Sequence, residues 1–330
     1  MGSGRLESCE DCVTIAAMDS LNSAFTRLSM RRRYESWFHR FELSDKSGAW
    51  WLRYLLQNPG REGCSERGVA PVQVWATWFP RGGTPETVIG GFSAQELGIS
   101  GRVSPFRLRA GPNEMQEGSC RGELTHPGGS VSWDLRYCSN FAFTMSNKGW
   151  IGFSRTPHSD ASFSGEIRWN ERVFRGDPLG IGVQGHNCGF RHRNFWTWAH
   201  ACFRQADGSC TTFEALVYEM PFSLVFRRAV LWHAGKSYVF RNLRESARDP
   251  QTMSWVFRAT STLGSAEFEI DGSGALLHRV PYAKTDCSGT FEVANNSLAG
   301  ARLKLRWNEA SKIEEFSTDA GSVLEMAGKY

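Results

Sequence analysis

The chain has no run of eighteen apolar residues, and its first stretch carries Glu7, Glu10 and Asp11 where a leader would need an apolar core. A membrane-spanning helix and a secretory leader are therefore not expected. No Gly-rich loop follows a strand and opens a helix, so no nucleotide cofactor is expected, and no serine sits in a Gly-x-Ser-x-Gly elbow. Net charge is small, +4 over 330 residues. Arg31-Arg32-Arg33 and Arg227-Arg228 are the only tight basic runs and read as solvated faces, which argues against a nucleic-acid partner. Helical periodicity is scarce, confined to windows at 18–28 and 93–97. Cys9 and Cys12 have metal-like spacing but no second pair at a useful distance, so no metal site is expected there.

Aromatic residues are what abounds: 13 Trp and 22 Phe against 7 Tyr. So many large rings need many apolar enclosures, which barrels and sandwiches supply more readily than helical bundles. A period of two dominates. Phe163, Gly165, Ile167 and Trp169 share one face against Ser164, Glu166 and Arg168. Phe213, Ala215 and Val217 alternate with Glu214 and Tyr218, and Leu303, Leu305 and Trp307 with Arg302, Lys304 and Arg306. This is the pattern of half-buried antiparallel strands, and Gly- and Asp-rich turns such as Arg81-Gly82-Gly83 and Asp271-Gly272 punctuate it. The expected class is mainly β with few short helices. Nine cysteines, odd in number and irregular in spacing, suggest free thiols in a reducing cytoplasm.

At 330 residues the chain is long for one domain. A faint echo suggests a duplicated unit. Trp37-Phe38, then a Gly turn, then Trp50 to Tyr54 is matched by Trp196-Thr197-Trp198, Asp207-Gly208 and Phe213 to Leu216. Gly176-Asp177-Pro178-Leu179-Gly180 reads as a linker or turn. The expected division is a disordered tail over 1–17, one domain over 18–180 and a second over 181–330.

The stretch from Gln184 to His200 holds three histidines, two tryptophans and two phenylalanines among glycines. Imidazole exchanges protons near neutral pH and indole supplies apolar wall with one polar N–H, the usual make-up of a small-molecule pocket. Arg33-Tyr34-Glu35-Ser36-Trp37-Phe38 with Ala49-Trp50-Trp51-Leu52-Arg53-Tyr54 resembles the first hairpin of the AttH-like group, which includes carotenoid 1,2-hydratases (hydroxyneurosporene synthases) and to which tocopherol cyclases are similar. Gln184-Gly185-His186-Asn187-Cys188-Gly189 with Trp196-Thr197-Trp198 resembles the motif opening the second half of such proteins. Thr285-Asp286-Cys287 with Asn295 to Ala299 resembles their closing segment. The resemblance implies two consecutive lipocalin-like antiparallel β-barrels holding an apolar ligand in or between them, and hydratase, cyclase or pericyclase chemistry on isoprenoid or polyketide substrates. One departure bears on mechanism: the hydratases carry an acid before the motif histidine, and here that position is Gly185. Their aromatic residue before the last glycine is Cys188 here.

Hydrating or cyclising an alkene needs a proton donor in a dry site, and burial keeps a carboxyl protonated. Glu214, flanked by Phe213, Ala215 and Leu216, is the first candidate and Glu35 the second, with His186 and His200 as proton relays. Trp37, Trp51, Trp196 and Trp198 would offer π faces to a cation, with Arg53 and Asn187 binding polar atoms of the substrate. The plainer readings make each Trp a core filler, Glu214 a solvent-facing residue or a partner of Arg53 or Arg193, and His192 a loop residue. A zinc set of His186, Cys188 and His192 with His200 and Cys202 would need an extended path that Gly189 and Arg191-His192-Arg193 argue against. The leading expectation is a cytoplasmic, cofactor-independent cyclase or hydratase of a lipid-like substrate, with peripheral membrane contact as a route of delivery. The alternative is a non-catalytic carrier or sensor of a hydrophobic small molecule, and a weaker third is a protein whose pocket has closed.

Overall fold

The computed structural model describes residues 21–26, 33–58, 64, 67–100, 105–127, 129–206, 208–220, 222, 224–308 and 313–328. The tail expected over 1–17, Cys9 and Cys12, and much of the helical window 18–28 lie outside the described residues. The window 93–97 does contain a single 3-10 turn, Ala94–Glu96.

Twenty-two strands form two antiparallel sheets among the described residues. The first holds β1 (Tyr34–Leu43), β2 (Gly48–Gln57), β3 (Val72–Pro80), β4 (Glu86–Phe92), β5 (Leu97–Ile99), β6 (Arg107–Ala110), β7 (Asn113–Gln116), β8 (Ser119–His126), β9 (Gly129–Cys138), β10 (Phe143–Asn147), β11 (Gly152–Trp169) and β12 (Arg172–Gly189). The second holds β13 (Trp196–Arg204), β14 (Cys210–Glu219), β15 (Val225–His233), β16 (Lys236–Phe240), β17 (Asn242–Asp249), β18 (Ser254–Thr260), β19 (Gly264–Asp271), β20 (His278–Ala283), β21 (Thr290–Trp307) and β22 (Ile313–Ala327). Strand order is β4-β3-β2-β1-β12-β11-β9-β8-β7-β6-β5 in one and β16-β15-β14-β13-β22-β21-β19-β18-β17 in the other. In each, one short strand stands off the path: β10 pairs with β11, and β20 with β21. The same topology is thus laid down twice, with two additional strands at the end of the first sheet, and each sheet curls around its own core. Trp37, Phe41, Trp50 and Phe163 fill the first, and Phe213, Trp255, Phe257 and Phe268 the second.

Matching ladder ends sets the register between the copies. Tyr34 pairs with Gln57 and Glu42 with Ala49 in the first hairpin; Trp196 pairs with Tyr218 and Arg204 with Cys210 in the second. The shift is 162 residues along the first strand (34 to 196) and 161 along the second (57 to 218), the turn being one residue shorter. The sequence echo of Trp37 with Trp198 is therefore one residue out of step. In a strand that error changes face: Trp37 points into the first core and Trp198 into the seam between the barrels.

The expected division at 180 falls inside β12, which pairs along its length with β1 and β11 and ends at Gly189. The sheets part between Gly189 and Trp196. The run from Gly176 to Gly180 is strand, not linker, because Leu43 pairs with Gly180 across the ladder.

Strands β1, β2, β13 and β14 are buried almost throughout. One face of each meets its own core, while the other meets the opposite sheet through Phe38, Trp51, Val183, Trp198, Leu216 and Val323. Arg40, 1% exposed, pins this seam. Its guanidinium donates to the carbonyls of Ala320 at 3.1 Å, Ser322 at 2.9 Å, Gly321 at 3.3 Å and Ser297. Carbonyl dipoles compensate part of what desolvating a cation costs. Cys64 and Cys287, 223 residues apart, form a disulfide across the same seam, so the expectation of free thiols throughout fails at this pair. With it goes the ground on which a reducing cytoplasm was expected. Closing so long a loop is expected to stabilise the fold by roughly 3–5 kcal/mol. Cys287→Ser should lower the urea midpoint accordingly, and an unchanged midpoint would contradict the bridge. Among the described residues no helix is long and apolar enough to cross a membrane.

Candidate active site between the barrels

Between the two sheets lies a pocket with a cavity volume of about 130 Å³. Its make-up, aromatic walls with a few polar groups, is that of a small-molecule site. The first barrel lends Tyr34, Ser36, Trp51, Arg53 and Asn187, and the second lends Trp196, Trp198, Tyr218, Tyr282 and Glu325. Alternation puts them there: on β1 the residues Tyr34, Ser36 and Phe38 share the face opposite Trp37, and on β13 Trp196 and Trp198 share the face opposite Ala199. The duplicated register makes the walls equivalent. Tyr34 corresponds to Trp196 and Ser36 to Trp198. Their cross-strand partners across the ladder, Asn187 and Glu325, correspond in turn.

Glu325 is the acid of this pocket, and the sequence reading missed it. It lies deep in the protein yet half-open to the cavity. The Trp196 indole N–H donates to its Oε1 at 2.7 Å and the Tyr282 hydroxyl to its Oε2 at 3.4 Å. Burial raises its pKa despite the opposing pull of Arg53 and these hydrogen bonds. Arg53 is 6% exposed, donates from Nε to Ser36 Oγ at 2.8 Å, and lies against the rings of Tyr282 at 4.3 Å and Trp75 at 5.2 Å. Its Nη1 has no hydrogen-bond partner among the described residues.

His192 follows β12 in an irregular segment, as expected, but it is no bystander. It stacks on Tyr34 with ring centroids 4.0 Å apart and lines the pocket. Burial, helped by Arg53, pushes its pKa down to about 3, so the ring is neutral and binds a proton only weakly. Tyr34 is pushed up to about 12, chiefly by burial, and stays a hydroxyl donor.

Of the residues the sequence put forward, Trp51, Arg53, Asn187, Trp196 and Trp198 line the pocket. Glu214 stands one layer behind. It neither faces solvent nor pairs with Arg53 or Arg193; the indole of Trp198 donates to it at 2.9 Å and the Thr156 hydroxyl at 3.0 Å. Burial raises its pKa to about 7. A carboxyl that binds its proton more tightly folded than unfolded contributes stability below its unfolded pKa, and loses it as pH rises through the folded one. About 3 kcal/mol should therefore disappear between pH 4.5 and 7.5. Denaturation of Glu214→Gln across that window should show the slope removed; an identical slope would place the titration elsewhere.

Glu35, His186, His200 and Trp37 are not in the pocket wall. Glu35 and His186 are both fully buried and bonded at 2.8 Å beneath residues 21–26. Glu35 also accepts from the backbone N–H of Phe25 at 2.8 Å and of Thr26 at 2.5 Å. Although burial alone would raise Glu35, these bonds and His186 hold it below the ordinary carboxylate range. His186 Nδ1 donates to the Leu21 carbonyl at 2.6 Å, and its ring stacks on Trp37 at 4.5 Å. His200 donates from Nε2 to the Ser159 carbonyl at 2.8 Å, and burial with Arg40 nearby pushes it down to about 3. These groups fasten strands and the N-terminal segment. Gly185, where the hydratases of the resemblance carry an acid, is needed for packing: a Cβ there would strike the ring of Phe38. The suggested zinc set is not assembled, since no cluster of three His, Cys, Asp or Glu suited to a metal occurs among the described residues.

No family pattern matches this chain, and neither does any curated protein sequence. Solved structures do. The double-barrel architecture is shared with kievitone hydratase from Nectria haematococca, at 11% identity and a TM-score of 0.55 over 94% of this chain and 94% of that one. It is shared with CghA, solved with Sch210972, at 10% identity and a TM-score of 0.59 over 90% and 88% of the two chains. A protein designated AttH from Nitrosomonas europaea matches at 10% identity and a TM-score of 0.53, over 92% and 94%. At such identities the likeness establishes the fold, which is the one the sequence resemblance implied.

Proposed function

We propose that the inter-barrel pocket binds a hydrophobic small molecule of isoprenoid or polyketide type and catalyses its cyclisation or hydration by proton donation, without a cofactor. The observation that carries this reading is Glu325: a carboxyl of raised pKa, fixed by an indole and a phenol and open to an apolar cavity. Protonated Glu325 delivers its proton to an alkene carbon or a carbonyl oxygen of the substrate. The faces of Trp51, Trp196 and Trp198 stabilise the cation that forms. Water adds, or an internal double bond closes a ring, and a proton returns to the Glu325 carboxylate, leaving the protein unchanged. The shared fold with a hydratase agrees with this chemistry.

The carrier reading has one observation in its favour, the absence of an acid at Gly185, whose place Phe38 occupies. Incubating the protein with a panel of polyprenyl and polyene compounds decides between them. Turnover appears as a gain of one water in mass, or as an isomer of unchanged mass and new retention. Quenched Trp fluorescence with every compound recovered intact supports the carrier instead.

A further inference from the structure

The charges around the pocket are lopsided. Arg53, Lys148, Arg191 and Arg193 line it, against the single carboxyl group of Glu325. None of the four cations makes an ion pair within 4.0 Å among the described residues. Lys148 and Arg191 are exposed at the mouth, Arg193 is half-buried over the Tyr218 ring, and Arg53 is buried deep on the floor. A guanidinium held away from water without a counter-charge is costly, and each buried N–H left without an acceptor adds to that cost. At Arg53 the Nε is satisfied by Ser36 and the planar faces by Tyr282 and Trp75, so the orientation is fixed, while Nη1 has no acceptor among the described residues. Glu325 does not supply one: its oxygens accept from Trp196 and Tyr282, and none accepts from Nη1.

We propose that the physiological ligand carries an acidic oxygen function, a carboxylate or an ionised enol, which Arg53 Nη1 receives on the pocket floor while the apolar chain lies against Trp51, Trp196 and Trp198. This rests on the pocket being the ligand site and narrows its substrate class from hydrophobic molecules in general to amphipathic acids. The three outer cations draw the acid toward the mouth, and Arg53 fixes which end enters first. The head group then sits beside Glu325, so the reacting double bond is one near the acid end of the chain.

Three probes of one skeleton test this: farnesoic acid, methyl farnesoate and farnesol, titrated against the full chain by quenching of the pocket tryptophans. The acid should bind roughly 10- to 100-fold more tightly than either neutral analogue, the range for a charge-assisted hydrogen bond in a dry site. Arg53→Met should abolish that preference while leaving farnesol affinity within about threefold, and Arg53→Lys should restore part of it. The wild-type comparison stands even where a variant does not fold. Equal binding of acid and ester by the wild-type protein overturns the inference and leaves the pocket reading intact, as does an acid preference that survives in Arg53→Met. Absence of quenching by all three overturns the pocket reading and this inference together.

Discussion

Replacing Glu325 with glutamine is expected to lower turnover by about 10²- to 10⁴-fold, the range a positioned general acid contributes. Glutamine keeps a carbonyl to accept from the Trp196 indole and nearly the same volume, so ligand affinity should change by less than about threefold. The pH profile gives an independent signature. Because burial raises the Glu325 pKa, the protonated form persists above the ordinary carboxylate range, and wild-type activity should fall only as pH climbs through that raised value. Residual activity in the variant should lack that limb. Glu214→Gln is the matched control: its carboxyl is also raised but is separated from the cavity by Trp198, so its loss should move stability with pH more than turnover. Full activity in Glu325→Gln, or the greater loss in Glu214→Gln, would move the acid role away from Glu325.

The second large effect is on stability. Glu35→Ala removes in one step the partner of His186 and the acceptor for two backbone N–H groups, all within a volume closed to water. Losing one partner of a buried, hydrogen-bonded pair costs about 3–5 kcal/mol. Urea denaturation followed by fluorescence should show that loss, and hydrogen exchange should show it first in residues 21–26, which the pair holds down. Turnover per folded molecule should stay close to wild type. Selective loss of turnover at unchanged stability would return Glu35 to a chemical role.

Much of the fold could be read from the order of the residues. Alternation of apolar and polar residues announces strands whatever their partners, and the turn residues locate the hairpins. The repeat was visible for the same reason, since two aromatic strands around a glycine turn survive as a local pattern. Its register was not, because a difference of one residue in the turn changes the face without changing the composition. The boundary was misplaced because β12 is a strand of the first sheet that pairs with β1, almost 150 residues earlier in sequence, and nothing local records that partner.

The site was half legible. Trp51, Arg53, Asn187, Trp196 and Trp198 stand in aromatic or motif-like stretches, and they do meet in the pocket. Glu325 carries the signal that singles out Glu214, a carboxylate between buried apolar neighbours, here Leu324 and Met326. His192 was read from its arginine neighbours, whereas its position is decided by stacking on Tyr34, a strand away. Glu35 and His186 misled because a fully satisfied structural pair and a catalytic dyad use the same two side chains. Only the partners at the other ends, the amides of Phe25 and Thr26 and the Leu21 carbonyl, tell them apart.

The doubled topology also has a historical consequence. With each barrel lending the same strands to the seam, a single-barrel forerunner would have formed this cavity by pairing with itself, on a two-fold axis that made both walls alike. Joining the copies in one polypeptide frees the walls to diverge. Arg53 and Glu214 occupy matching places in the two hairpins, as do Asn187 and Glu325, so one half has kept a cation and an amide where the other keeps two acids. A polarised cleft able to tell the two ends of a molecule apart is what a symmetric pair could not offer.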